Sequence, residues 1–290
     1  MSDEETSKKY PTTSMCDGLL LERFESQVRE TDVFIVTSAK CGQTWLQAIL
    51  FHLKTGGNEP DFRGKGLHGV SPWLEWPPKF GTDEYDREAR LGEMHALDDP
   101  RILKMHVVWE EIPRPPGSEA KVVTITRDPR DIPYSMFAHL HAMKKSFPDI
   151  PERFDDYFER WMEFGFYYKF VNSFWPHHHD EDVLWLRYED MKKNLPGEIL
   201  KILNFLGWNA SDETLERVLP LVDIDHMRRK EKTSIFRKAD DYWKEGQYFF
   251  REGGVGKNRT HLSADQEGRI VERARQEFPE ACFNWVMSQE

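Results

Sequence analysis

The sequence predicts an α/β domain with a central parallel β-sheet flanked by helices on both faces. Three observations predict it. Short apolar runs, mostly β-branched, recur along the chain. Segments of helical period separate them. Polar, chemistry-bearing residues stand just past the ends of those runs.

The elements follow in order. Val33–Thr37 reads as a buried strand, and Ser38–Gln43 breaks its pattern with a small residue, a lysine and a glycine. From Thr44 the apolar residues Trp45, Leu46, Ile49, Leu50 and Leu53 fall at helical spacing. Arg101–Val107 is a second strand and Lys121–Thr126 a third. Arg-Asp-Pro-Arg-Asp and a helix through Ile132, Met136, Phe137 and Leu140 come next. Phe154–Phe174 reads as one long aromatic helix, and Val183–Leu186 as a strand followed by Tyr188-Glu189-Asp190. Pro196–Leu206, Ser211–Leu221 and Ser263–Phe278 are helical, with Ser211 and Ser263 as N-caps. Gly56–Thr82 and Lys230–Asn258 lack regular pattern and read as lids around a site, or as plain surface insertions. Residues 1–15 read as a flexible tail and 16–290 as a single domain, with no linker inside it.

Charge narrows the function. Lys and Arg number 40 against 51 Asp and Glu, a net charge of −11. An acidic chain without a basic block suits neither nucleic acid nor an anionic membrane, so an anionic ligand needs a focused local site. No run of about 18 apolar residues is present to form a transmembrane helix. The polar start Met1–Ser14 lacks the apolar core of a signal peptide. Cys16, Cys41 and Cys282 have neither metal nor disulfide spacing, so the expected setting is reduced and cytoplasmic. His177-His178-His179 reads as an exposed turn before an acidic run, and no metal is expected.

In a parallel sheet, ligands bind outside the carboxyl ends of the strands. Lys40 follows the first strand, in a loop that opens a helix. Free N–H groups, the helix dipole and the lysine favour an anion there, although the Walker A pattern is absent. Lys104 and His106 end the second strand, Arg127 the third, and Tyr188 the fourth. Arg127 either pairs with Asp128 or Asp131, or shares a phosphate with Ser135 at the start of the next helix. Phe249–Thr260 combines Arg251 with Gly253, Gly254 and Gly256, which reads as a ligand loop or a mobile one.

Together these segments resemble the cytosolic (PAPS-dependent) sulfotransferase family, from about Phe34 to about Ala264. Lys40-Cys41-Gly42-Gln43-Thr44-Trp45 matches K-x-G-x-T-W. Arg127 and Ser135 match the Arg-(seven residues)-Ser pair, and Lys104-Met105-His106 the K-x-H. Tyr188–Lys192 keeps Y-E-D-M-K, and Arg251–Gly256 keeps R-x-G-x-x-G. The resemblance implies a P-loop-like 5′-phosphosulfate loop and 3′-phosphoadenosine 5′-phosphosulfate (PAPS) as co-substrate, with PAP as product. It implies a small acceptor bearing a hydroxyl or amine and no required metal. It also assigns roles. Lys40, Cys41, Gly42, Gln43 and Thr44 hold the 5′ end and Trp45 lies near the adenine. Arg127, Ser135, Arg251 and Gly253 hold the 3′-phosphate, with Glu252 beside them at the nucleotide. Tyr188 closes on the nucleotide, with Met227 beside it. His106 is the base for in-line transfer, and Lys40 offsets charge on the leaving phosphate.

Departures accompany the match. Cys41 stands where the family usually has Ser, and Gln43 where it has Thr, so amide contacts survive and hydroxyl contacts do not. Beside Lys40 at a helix N-terminus, Cys41 is expected to have a lowered thiol pKa and to block donor binding when modified. Glu252 replaces the usual Lys. Arg259, Ser263, Ala264 and Gly268 stand at the family's dimer motif, which is poorly kept, leaving monomer or homodimer open. Trp73, Trp76, Phe80, Phe137 and His139, with Lys104 and His106, are candidates to bind an apolar or aromatic alcohol or phenol. Two alternatives stay open. One is a P-loop-type nucleotide kinase or NTPase, which needs a Gly-Lys-[Ser/Thr] loop end. The other is a non-catalytic nucleotide-binding relative.

Overall fold

The structure, a computed structural model, describes residues 9–11, 16–75, 86–144, 149–236, 243–251 and 253–288. Trp76, Phe80, Glu252, most of the N-terminal tail and parts of both lids lie outside the described residues.

Four parallel strands form the sheet among the described residues: β1 Val33–Val36, β2 Ile102–Met105, β3 Lys121–Thr126 and β4 Val183–Arg187. Their order is β2-β1-β3-β4. Val36 pairs with Met105 on one side and Thr124 on the other, and Thr126 with Arg187. The chain therefore runs outward from β1 to β2, then crosses back past β1 to β3. That reversal opens a crevice at the carboxyl ends.

Alternation along each strand divides the core between the two faces. Phe34, Val36, Leu103, Met105 and Val122 point to one face. They meet α1 (Gly18–Glu25), α4 (Arg87–His95), α7 (Phe166–Phe174), α12 (Ala264–Glu277) and α13 (Glu280–Met287). Val33, Ile35, Ile102, Val123 and Ile125 point to the other. That face meets α2 (Gln43–Lys54), α3 (Leu67–Val70), α8 (Tyr188–Lys193), α9 (Leu195–Leu206), α10 (Asp212–Leu221) and α11 (Ile224–Lys230). Burial on both faces explains why the strands read as continuous apolar runs. α5 (Pro133–Ala142) packs on α6 (Phe154–Phe164).

Ser211 and Ser263 cap α10 and α12, accepting from Thr214 N and Gln266 N. The long aromatic helix is broken. Gly165 takes φ 59°, ending α6 and opening α7. A Cβ there would lie 2.2 Å from the Arg273 guanidinium, whose Nη1 donates to Met162 O. The aromatic period runs through the break, so the sequence shows no interruption. The first lid is partly ordered as α3. No helix among the described residues is long and apolar enough to cross a membrane.

At the end of the sheet away from the crevice, Asp32 and Arg101 form a fully buried pair at 2.5 and 2.7 Å. Arg101 also donates to Gln27 O, and Asp32 accepts from Arg29 N. Backbone bonds from Val33 to Arg101 and from Lys121 to Asp32 join β1, β2 and β3 at the same point. Asp32→Ala leaves the guanidinium buried and unpaired. Urea unfolding should show a loss of about 3–5 kcal/mol; a loss below about 1 kcal/mol contradicts this role.

Candidate active site

The loop after β1 is shaped by two left-handed residues, Lys40 at φ 66° and Gly42 at φ 100°. Gly42 is the N-cap of α2 and has no side chain to cap it. A Cβ on Gly42 would come within 2.8 Å of the Tyr188 ring, so backbone geometry and close approach both require glycine. The first amides of α2 lack helical partners and carry the positive end of its dipole.

Gln43 departs from a loop-facing role. Its Nε2 donates to Ile35 O at 2.9 Å and to Met105 O at 2.6 Å, tying the ends of β1 and β2 together from within the core. Cys41 corrects an expectation. It is fully buried in the core, and burial pushes its thiol up to about 12 instead of lowering it. A neutral, enclosed thiol is a poor nucleophile, so the reactive-cysteine reading falls.

At the end of β2, His106 Nδ1 lies 2.7 Å from Thr37 O. A carbonyl only accepts, so the proton sits on Nδ1 and Nε2 keeps its lone pair. Burial, then the charges of Lys104 and Lys40, hold the ring's pKa down to about 3, so it is neutral at physiological pH. Residues 72–74 pair alongside β2 through Lys104 N to Pro72 O and Leu74 N to Lys104 O. This brings Trp73 onto the site. Lys104 Nζ is 4.4 Å from the Trp73 ring centroid, and the His106 ring is 5.2 Å away, edge-on. Glu75, buried beside them, accepts from His106 N at 2.5 Å, and burial raises its carboxyl to about 7. Sequence reasoning did not single it out.

Across the crevice, Arg127 spans two loops, donating to Gly254 O at 2.8 Å and Lys40 O at 3.5 Å while lying over the Tyr188 ring. Asp131 is 3.6 Å from Arg127, so the ion pair and the strand-end position coexist. Asp131 also accepts from Gly256 N at 2.8 Å and Asn258 N at 3.2 Å, and thus moors the glycine loop. Gly253 takes φ 63° against Ile224. Arg251 donates to Asn258 Oδ1 and lies over Tyr134. Ser135 stands in the first turn of α5, and Trp45 meets Tyr188 edge-on at 5.7 Å. Met227 is buried in α11. Lys40 gathers these charges. Burial, Arg127, Lys104 and Arg251 together push its pKa down to about 7.

An aromatic wall joins the two halves. Phe249 lies 4.6 Å from Lys40 Nζ and packs on Phe236 and Trp243. His139 of α5 meets Trp243 at 5.2 Å and Phe249 at 5.3 Å. Phe137, two residues earlier, is turned to the other side of α5 against Phe154 and Tyr157 of α6, and not toward this wall. The wall is held by a clip. Buried Glu231 accepts from Phe249 N at 2.7 Å and Phe250 N at 3.0 Å. Arg228 donates to Phe250 O at 2.8 Å and Arg251 O at 2.6 Å. Glu231 lies in a five-residue π-helical turn, Glu231–Ile235, which no pattern in the sequence announces. Glu231→Ala removes two bonds to a carboxylate, each worth about 1.5–3 kcal/mol. Amide hydrogen exchange at Phe249 and Phe250 should rise about tenfold or more, with β3 unchanged. Equal protection in the variant would show that the clip does not hold the wall.

Comparison with known proteins finds relatives along most of the chain. The Sulfotransferase domain family matches residues 30–280. Sulfotransferase 1E1 of Bos taurus is 28% identical over 249 residues, covering 84% of this chain and 81% of that one. Sulfotransferase 6B1 of Homo sapiens is 27% identical over 278 residues, covering 92% and 82%. Mouse sulfotransferase SULT7A1 complexed with PAP shares the fold, with TM-score 0.74 at 20% identity over 97% of this chain and 96% of that one. Retinol dehydratase in complex with retinol and PAP also shares it, with TM-score 0.68 at 22% identity over 87% and 82%. The family match spans most of the chain, and its strand-end residues converge on one crevice: the chain belongs to the sulfotransferase family and is a sulfotransferase.

Proposed function

We propose that the sulfuryl donor is 3′-phosphoadenosine 5′-phosphosulfate and that the acceptor is a small molecule with a hydroxyl or amine. The observation that carries this reading is the His106 tautomer, a neutral imidazole with Nε2 free to accept, between Lys40 and Lys104. The donor supplies an activated sulfuryl group on a phosphate leaving group. Lys40 and the amides of Gly42–Thr44 bind its 5′ end at the start of α2. Arg127, Ser135, Arg251 and Gly253 bind the 3′-phosphate, and Trp45 and Tyr188 flank the base. His106 takes the acceptor's proton at Nε2 as the acceptor oxygen or nitrogen bonds to sulfur. Lys40 balances the charge left on the phosphate when the sulfur–oxygen bond breaks. The presence of PAP in related structures supports the nucleotide assignment.

Two experiments test it. His106→Ala should lower kcat by about 10²–10⁴-fold, while PAP binding measured by calorimetry changes less than about twofold. An unchanged kcat removes His106 from the mechanism. Lys40 titrates near 7 when the site holds no anion, and a bound phosphate favours its charged form. Nucleotide affinity should therefore fall as pH rises from 7 to 9, toward about tenfold per unit. In Lys40→Arg, which stays charged, the slope should fall clearly, leaving only what Lys104 contributes, since burial lowers its pKa to about 8. Affinity of the unaltered protein that stays flat from pH 7 to 9 contradicts the assignment.

A further inference from the structure

Two histidines beyond the base face the same part of the molecule. His68 lies in α3 and His139 one helical turn after Ser135 in α5. The His68 ring is 5.7 Å from Phe236, and His139 packs on Trp243 and Phe249 of the same aromatic wall. Electrostatic neighbours interlock. Lys104 acts on His68, His106 and His139, while His68 acts on His106 and His106 on His139. Three imidazoles and Lys104 thus lie near one another, with Trp73 against Lys104 and His106, and Phe236, Trp243 and Phe249 against His68 and His139. As whole residues, His68, His106 and His139 are each partly buried.

His68 Nδ1 and His139 Nδ1 are buried without a hydrogen-bond partner among the described residues. Trp243 Nε1, on the same wall, has none either, so three polar atoms there lack the partner that buried polar groups usually find. Burial holds His68 down to about 3 and His139 well below its ordinary value. Both rings are therefore neutral, each with one donor and one acceptor nitrogen. That pair matches a hydroxyl, which also donates and accepts. It offers little to a bare hydrocarbon.

We propose that His68 and His139 form a polar subsite for an acceptor that carries a second hydroxyl away from the oxygen receiving the sulfuryl group, that is, a polyhydroxylated aromatic. The subsite rests on the reading of His106 as the base beside the acceptor. It refines the acceptor from an apolar phenol to one that hydrogen-bonds at both ends.

The test compares 2-naphthol with 2,7-dihydroxynaphthalene, which share one ring system. Two measurements are made: kcat/KM with PAPS, and equilibrium binding to the PAP-saturated protein by calorimetry. The diol should be preferred about tenfold or more in both, against about twofold from having two reactive hydroxyls. His68→Phe and His139→Phe should each lower that preference about fivefold or more, chiefly through KM. His139→Gln, which keeps a donor and an acceptor, should restore part of it and serves if the phenylalanine variants fold poorly. A diol preference of about twofold overturns the subsite, as does one that survives both phenylalanine substitutions. If neither compound is sulfated, the proposed reaction on phenolic acceptors fails. Calorimetry then still decides the subsite on its own.

Discussion

The hydrogen bond from His106 Nδ1 to Thr37 O is the contact on which the rest of the site depends. It crosses from the end of β2 to the end of β1, where Gln43 and the Thr37 amide make further bonds to the same strand ends. A parallel sheet of order β2-β1-β3-β4 opens its crevice there, so the bond places an imidazole beside the loop that follows β1. It also settles the chemistry of the ring. With Nδ1 committed to a carbonyl, only Nε2 can take a proton, and burial beside two lysines keeps it unprotonated. Position, tautomer and charge state follow from one bond and its surroundings.

The second constraint is electrostatic. An acidic chain collects Lys40, Lys104, Arg127 and Arg251 at one end of its sheet. Nearby carboxylates neutralise this cluster only in part. Asp131 spends its oxygens on the Gly256 and Asn258 amides, and Glu231 on those of Phe249 and Phe250. The acids thus build the loops that carry the cations, and the excess positive charge remains at this end of the sheet. The depressed pKa of Lys40 reflects burial first and then this same excess. Gly42 shows how closely the parts fit, since even a methyl group there would strike Tyr188.

Much of this was legible in the sequence. Lys40, His106, Arg127 and Tyr188 each follow an apolar run, and a parallel sheet gathers such positions by its geometry alone. What escaped has physical reasons. The break at Gly165 hides because the aromatic period continues across it and Arg273, more than a hundred residues later, fills the place of a side chain. Cys41 looked reactive from its neighbours in sequence, but burial outweighs them. Phe137 and His139 both looked like acceptor contacts, although two residues on a helix face nearly opposite sides. His68, Glu75, Glu231 and the Phe249 wall sit in segments of irregular pattern, where only tertiary contacts define them.

The central claim is a neutral His106 protonated on Nδ1. Nitrogen-15 NMR of the histidine-labelled protein, assigned by comparison with His106→Ala, reads this directly. The account predicts a protonated Nδ1 and a bare Nε2 from pH 8 down to about 5, since the ring's pKa lies near 3. A proton on Nε2 at neutral pH, or titration near the ordinary histidine value of about 6.5, would contradict it.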